Sequence, residues 1–337
     1  MNHDVGDIRK RTRQGIAAGI GCYLLWGLFP LYWKLLDHVD PLEVTAQRVI
    51  WCFALTAIIC LIARWNFTSL LKDKRALCYL IPAAIIITSN WGTYIFAVHI
   101  DHIVEASLGY YINPLVSILL GLVIFKERLS PLQWIAVALC CIGILYFTIS
   151  YGSFPWLAIY LAVSFGVYGA IKKKGGYPAV EAIAVESAVM TPVAIVFAIV
   201  LAFATGSHGF LGDVTSAAGW STTGLLILGG AVTAVPLILF ATAANSIPLT
   251  ILGFMQYVSP TIALLCGVFV NGEAFTVAHG ICFACIWCGL ALVEVHLVVI
   301  AITIGNAVDV DSAHSLAPQV LLCRRPLAYL PMVLCSS

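Results

Sequence analysis

Charge is scarce in this sequence: Asp, Glu, Lys and Arg make up 10% of its 337 residues, against about 25% in an ordinary soluble domain. So thin a polar coat cannot cover a water-soluble fold when 61% of the residues are hydrophobic. The sequence also lacks a DDxxD-type acid pair, an H-E-x-x-H pair and a Gly-rich phosphate loop. Those absences argue against lipid-phosphate enzymology, zinc hydrolysis and direct use of ATP. No basic surface for nucleic acid is present, and the net charge is +1. Cysteine is not scarce, but most of the twelve lie inside apolar blocks, where an oxidised framework or a hydrated metal site is out of place. The run Cys282, Cys285, Cys288 has the spacing of a cluster motif; on a helix it reads as small packing residues along one broad face. No metal and no cofactor are assigned.

What is present is hydropathy, with a mean of +1.01, in blocks of about 20 residues, the length that crosses a bilayer core as a helix. Ten such blocks fall near 15–35, 42–63, 77–98, 103–125, 131–150, 154–171, 180–204, 222–243, 248–270 and 275–293. The first follows Arg9, Lys10, Arg11 and Arg13 but has no small-residue cleavage site, so it reads as a retained span. With the N-terminus inside, 15 of the 17 Lys and Arg residues fall on the inner side, as the positive-inside bias requires. The exceptions are Lys34 and Arg48. The connections around 99–102, 151–153 and 205–221 carry none and belong outside.

Tyr111–Glu127 matches Tyr257–Glu273 without a gap, with Tyr, Pro, Gly and Glu coinciding. A weaker match pairs Trp26, Gly27 and Lys34 with Phe165, Gly166 and Lys173, and Glu43 with Glu181. The chain therefore reads as a segment 1–14, a five-helix repeat over 15–150, a second over 151–293, and an atypical tail over 294–337. An odd number of spans per repeat forces the second half to enter the membrane from the opposite side. Inverted repeats suit alternating access around a midplane site. The expected fold is an all-α integral membrane protein of ten helices in two inverted repeats.

Few polar residues are left to carry chemistry. Arg48, Glu105 and Glu186 lie within spans, where an ionisable group costs about 2.5–3.5 kcal/mol and usually faces a cavity or partner. Lys34, Glu43 and Glu181 lie near the interfaces, within snorkelling reach. The fourth span carries Tyr110, Asn113, Pro114, Ser117 and Gly121 on one face, and its repeat partner Gln256, Ser259, Pro260, Ala263 and Gly267. Each proline removes a backbone donor and can free a carbonyl toward a cavity; small-residue helix packing is the competing explanation. Asn90, Thr93, Tyr94 and Ala97 form another face, beside Trp91. The stripes, with Asn90 and Tyr94, are expected to line one cavity edged by Arg48 or Glu105. Trp26 and Trp33 are aromatic candidates for it, although Trp33, Trp51 and Trp65 also suit an interfacial belt.

The segments LLWGLFPLYWK (24–34), NWGTYIFAV (90–98), EASLGYYINPLVSILLG (105–121), VTAVPLILFATAA and LGFMQYVSPT together closely resemble the RarD group of EamA-type transporters in the drug/metabolite transporter superfamily. The resemblance covers residues 15 to about 293. It implies a bacterial inner-membrane permease with both termini inside and a central cavity, and it singles out Trp26, Lys34, Arg48, Asn90, Trp91, Glu105, Tyr111, Asn113, Gln256 and Tyr257. Gln47 and His99 stand where the family usually carries His and Asn. The expected function is secondary transport, as an exporter of a small metabolite or drug, with the bilayer and a coupling ion such as the proton as partners. A lipid or lipid-headgroup translocator is the alternative, and a membrane-embedded enzyme the more distant one.

Overall fold

The computed structural model describes residues 2–100, 102–152, 154–205, 217–271 and 276–308. Among them the chain is helical throughout, with no strand: α1 (Asn2–Trp33), α2 (Pro41–Ala63), α3 (Phe67–Lys72), α4 (Lys74–His99), α5 (Ile103–Ile124), α6 (Pro131–Tyr151), α7 (Trp156–Gly175), α8 (Ala179–Thr205), α9 (Ala217–Ser246), α10 (Leu249–Gln256), α11 (Val258–Asn271) and α12 (Val277–Val308). Among the described residues eight stretches are long and apolar enough to cross a membrane, α10 and α11 together forming one of them; Val277–Val293 is a shorter apolar helix. Helix α7 is apolar until Lys172, Lys173 and Lys174 close it. Ile62, Phe203 and Phe269 are 79%, 89% and 80% exposed, an outer surface suited to acyl chains rather than water.

Local signals fix several boundaries. Asp40 caps α2 and Pro41 supplies its first turn, while Ser130 and Gln133 form a reciprocal capping box on α6, each satisfying backbone donors that a helix start leaves orphaned. Gly152 and Gly176 end α6 and α7 in the left-handed conformation.

Three features depart from the sequence expectation. The span at 248–270 is broken at Tyr257, between α10 and α11. Pro260 has no N–H to return to Gln256, so the ladder is interrupted there, whereas its mate Pro114 stays inside an unbroken α5. The last helix continues past residue 293 to Val308. A short helix, α3, occupies the basic connection after α2. Most of the connection at 205–221, the acid Glu273 and the tail beyond 308 lie outside the described residues.

Packing runs mainly between the two halves. Helix α1 packs on α9 and α11, α2 on α8 and α9, α4 on α7 and α8, α5 on α7 and α10, and α6 on α12. Exchanging the halves, α1 for α7, α2 for α8, α4 for α9, α5 for α10–α11 and α6 for α12, returns the same set of pairs. Single residues obey this exchange. A methyl carbon on Gly27 would come within 2.6 Å of Ile262, and one on Gly166 within 2.7 Å of Val116; Gly27 and Gly166 are mates in the sequence match, as are Val116 and Ile262. One on Gly143 would lie 3.0 Å from the Cys282 carbonyl, and one on Gly289 3.0 Å from that of Ala136. Along α6 from Ala136 to Gly143, the partner on α12 moves back from Gly289 to Cys282, so these mated helices run antiparallel. Cys282 and Cys285 thus face the Gly143 notch as packing residues.

Candidate functional site

The structure divides the sequence candidates into two groups. Adjacent residues on a helix point about 100° apart, and that rotation separates Asn90 from Trp91 and Tyr111 from Tyr110. Asn90 is buried and donates its amide to the Leu161 carbonyl (2.9 Å) and Ser164 hydroxyl (2.8 Å), bolting α4 to α7. Tyr111 is buried edge-on between Phe147 (5.9 Å) and Phe283 (5.3 Å). Trp26 packs against Phe165 (5.4 Å) and Phe240 (5.7 Å) in an aromatic core.

The paired polar stripes meet each other at Ser117 and Gln256, while Tyr110 at the end of the first is exposed. Asn113, Ser117 and Gln256 are buried, and the Ser117 hydroxyl donates to Gln256 Oε1 at 3.3 Å across α5 and α10. Gly253 lets these helices approach closely enough that a methyl carbon there would lie 2.9 Å from the Pro114 carbonyl. Tyr257 is buried in the cluster with Tyr111 and Cys140. Close packing through small residues is the physical reason. Glu105 is likewise no edge charge: it is 1% exposed, accepts the Leu157 N–H at 2.7 Å and pairs with His102 at 2.8 Å, so it caps the start of α7. Removing the Asn90 bolt by Asn90→Ala is expected to lower stability by about 1 kcal/mol, read as a small fall in the unfolding temperature of the detergent-solubilised protein.

The second group converges on Arg48. Its guanidinium carbon lies 4.6 Å from the ring centres of both Trp33 and Trp91, and its Nε donates to Thr233 Oγ1 at 3.0 Å. Tyr32 fixes the end of α1 by donating its hydroxyl to the Leu225 carbonyl. Tyr94 and Tyr110 meet edge-on at 5.8 Å, are 37% and 46% exposed, and lie within electrostatic range of the guanidinium. Helices α1, α2, α4, α5 and α9 thus surround one cation. Trp91 also walls a cavity of about 30 Å³ that reaches Cys52, Thr88, Glu186, Ser187 and Met190, room for water but not for a metabolite. Lys34 stands exposed in the turn after α1.

The sequence offers Trp33 both as an aromatic candidate and as a belt residue, and the structure places it on Arg48; Thr233 had no signal among many helix threonines. Sequence reasoning missed that residue and the depth of two ion pairs. Lys172 and Glu186 lie 2.6 Å apart with side chains 3% and 5% exposed, and the Tyr168 hydroxyl donates to the same carboxylate at 3.2 Å. Lys173 lies 3.6 Å from Glu127.

The model of the EamA-like transporter family matches residues 13–149. The chain is 40% identical to the uncharacterized transporter YojE of Bacillus subtilis over 83% of this chain and 93% of that one. It is 38% identical to the protein RarD of Escherichia coli over 84% of this chain and 94% of its relative. A solved crystal structure superposes with a TM-score of 0.65 at 18% identity, covering 85% of this chain and 97% of the other, a likeness of fold. The chain is therefore a RarD-type, multi-pass membrane transporter of the EamA-like family, within the drug/metabolite transporter superfamily.

Proposed function

We propose that this protein is a secondary transporter that carries a small metabolite or drug across the bacterial inner membrane by alternating access, as an exporter, with ten spans in two inverted five-helix repeats. The observation that carries the reading is the antiparallel packing of mated helices, α6 on α12 through Gly143–Cys282 and Gly289–Ala136. A two-fold axis in the membrane plane demands that arrangement, and rocking two such halves exposes a midplane site to each side in turn. The Arg48 cluster and the cavity behind Trp91 lie where α2, α4, α8 and α9 from both halves meet. The basic residues favour an N-terminus inside, which puts Arg48 in the outer half of its span; a proton gradient is the coupling source to test first.

The test is counterflow in proteoliposomes loaded with unlabelled organic acids, amino acids or sugars and given the labelled counterpart outside, with and without a pH gradient. Exchange of one class above protein-free liposomes is expected. Folded protein that exchanges none of them, or that moves only labelled phospholipid between leaflets, overturns the metabolite reading. For topology, Lys72→Cys and Lys174→Cys in a cysteine-free background should both react with an impermeant maleimide from the inner face only; labelling from opposite faces overturns the inverted arrangement.

A further inference from the structure

Arg48 differs from the other deeply placed charges in what satisfies it. Under the exchange of halves that pairs Glu43 with Glu181, Arg48 pairs with Glu186, and under the one that pairs Gly27 with Gly166, Trp33 pairs with Lys172. The same helix contact therefore occurs twice. In the second half it is an ion pair, Glu186 with Lys172 at 2.6 Å, closed off from solvent. In the first half the charge meets an aromatic face, Arg48 against Trp33, and among the described residues no carboxylate stands within ion-pair distance of it. The fold thus contains, at the mated position, its own example of how a purely structural charge is neutralised, and Arg48 does not follow it.

The geometry says what is left over. A guanidinium is planar, with its N–H donors along the edge. Trp33 and Trp91 both lie 4.6 Å from its central carbon, and Thr233 takes the Nε donor. Among the described residues the two terminal nitrogens make no hydrogen bond. Those nitrogens form the fork that binds carboxylate or phosphate oxygens two at a time, and the exposed rings of Tyr94 and Tyr110 lie within the field of the same charge. A cation in a low-dielectric span without a counter-charge is costly, and an incoming anion removes that cost.

We propose that Arg48 is the anchor of the substrate site and that the molecule carried is a small organic anion, its carboxylate or phosphate held by the Arg48 fork and its apolar part laid against Trp33, Trp91, Tyr94 and Tyr110. This rests on the transporter reading above. Trp33 and Trp91 fix the plane of the fork and Thr233 its rotation, so all three are positioning residues for the anion.

The test compares four probes of nearly one shape and different charge: benzoate, phenyl phosphate, benzamide and benzylammonium. Each is titrated into the purified full-length protein, reading saturable quenching of tryptophan emission. Benzoate and phenyl phosphate are expected to bind, benzamide and benzylammonium at least about tenfold more weakly. Arg48→Gln should weaken anion binding about tenfold to a hundredfold, while Arg48→Lys, a cation without the fork, should fall between. Should Arg48→Gln fail to fold, Thr233→Val reads the same site, with anion affinity falling several-fold and benzamide unaffected. Equal binding of benzamide and benzoate, no saturable response to either anion, or full anion affinity in Arg48→Gln would overturn the proposal. Protein in nanodiscs of phosphatidylglycerol or of phosphatidylcholine separates the two sources of such a group: competition by phosphatidylglycerol alone makes a lipid headgroup the anion, and no competition leaves a soluble metabolite. Counterflow of a neutral or cationic solute alone would remove the anion and keep the transporter; anion binding without counterflow of any solute would do the reverse.

Discussion

Lys172→Met is expected to destabilise the protein by about 3–5 kcal/mol, and Lys172→Met combined with Glu186→Met to recover most of that loss. The ammonium and carboxylate are 2.6 Å apart and almost wholly enclosed, with Tyr168 donating to the other carboxylate oxygen at 3.2 Å. Taking both ions out of water costs nearly what their attraction returns, so the pair as a unit adds little net stability. Removing one partner is different, because the remaining charge keeps its desolvation cost and loses its compensation. Methionine conserves much of the stem volume of both residues, which separates the charge effect from a cavity. The measurement is a double-mutant cycle of unfolding in detergent. A double variant as unstable as Lys172→Met would mean that packing around Tyr168, not charge, dominates the site.

Eight of the ten expected span positions were legible because about 20 apolar residues have one use in a chain this poor in charge. The recurrence of Tyr, Pro, Gly and Glu in register is plain in the sequence, and at the weaker match Gly27 and Gly166 each lie against a β-branched side chain, Ile262 and Val116. The cavity was not legible, because polarity on a helix face does not say which neighbour the face meets. Gln256 looks like a cavity residue in isolation, yet it accepts from Ser117 where α5 and α10 cross. Arg48 was visible as a charge, but its two tryptophans come from α1 and α4, elements whose approach to α2 no local pattern encodes. The break at Tyr257 was half visible: Pro260 announced a missing donor, yet Pro114, at the matching position, lies inside an unbroken α5.

The second large effect concerns the clasp at the basic end of the bundle. Helix α5 ends at Phe125, and Lys126 takes a positive φ of 53°, turning the chain so that Glu127 faces back toward the second half. Its carboxylate accepts the Leu249 N–H on Oε1 and the Thr250 N–H on Oε2, both at 2.8 Å. Those are orphan donors at the start of α10, where a negative charge is also favoured by the helix dipole. Lys173, 3.6 Å from the same carboxylate, donates to the Ile247 carbonyl at 2.5 Å, just beyond the end of α9. One acid from the first half thus holds the α9–α10 elbow of the second, and in the proposed orientation this lies on the inner side. On the proposed alternating-access reading, opening that side releases the clasp, so weakening it is expected to shift the population toward the inward-open form. Charge-assisted hydrogen bonds are worth about 1.5–3 kcal/mol each, so Glu127→Ala, which removes two, is expected to shift the balance by more than tenfold. Hydrogen exchange at the Leu249 and Thr250 amides should accelerate accordingly, and counterflow should slow because the carrier rests in one form. Glu127→Gln, which keeps one acceptor oxygen, should fall between Ala and the parent in both measurements. Parental exchange at these two amides together with parental counterflow in Glu127→Ala would show that the clasp only closes a helix end and that the inner gate lies elsewhere.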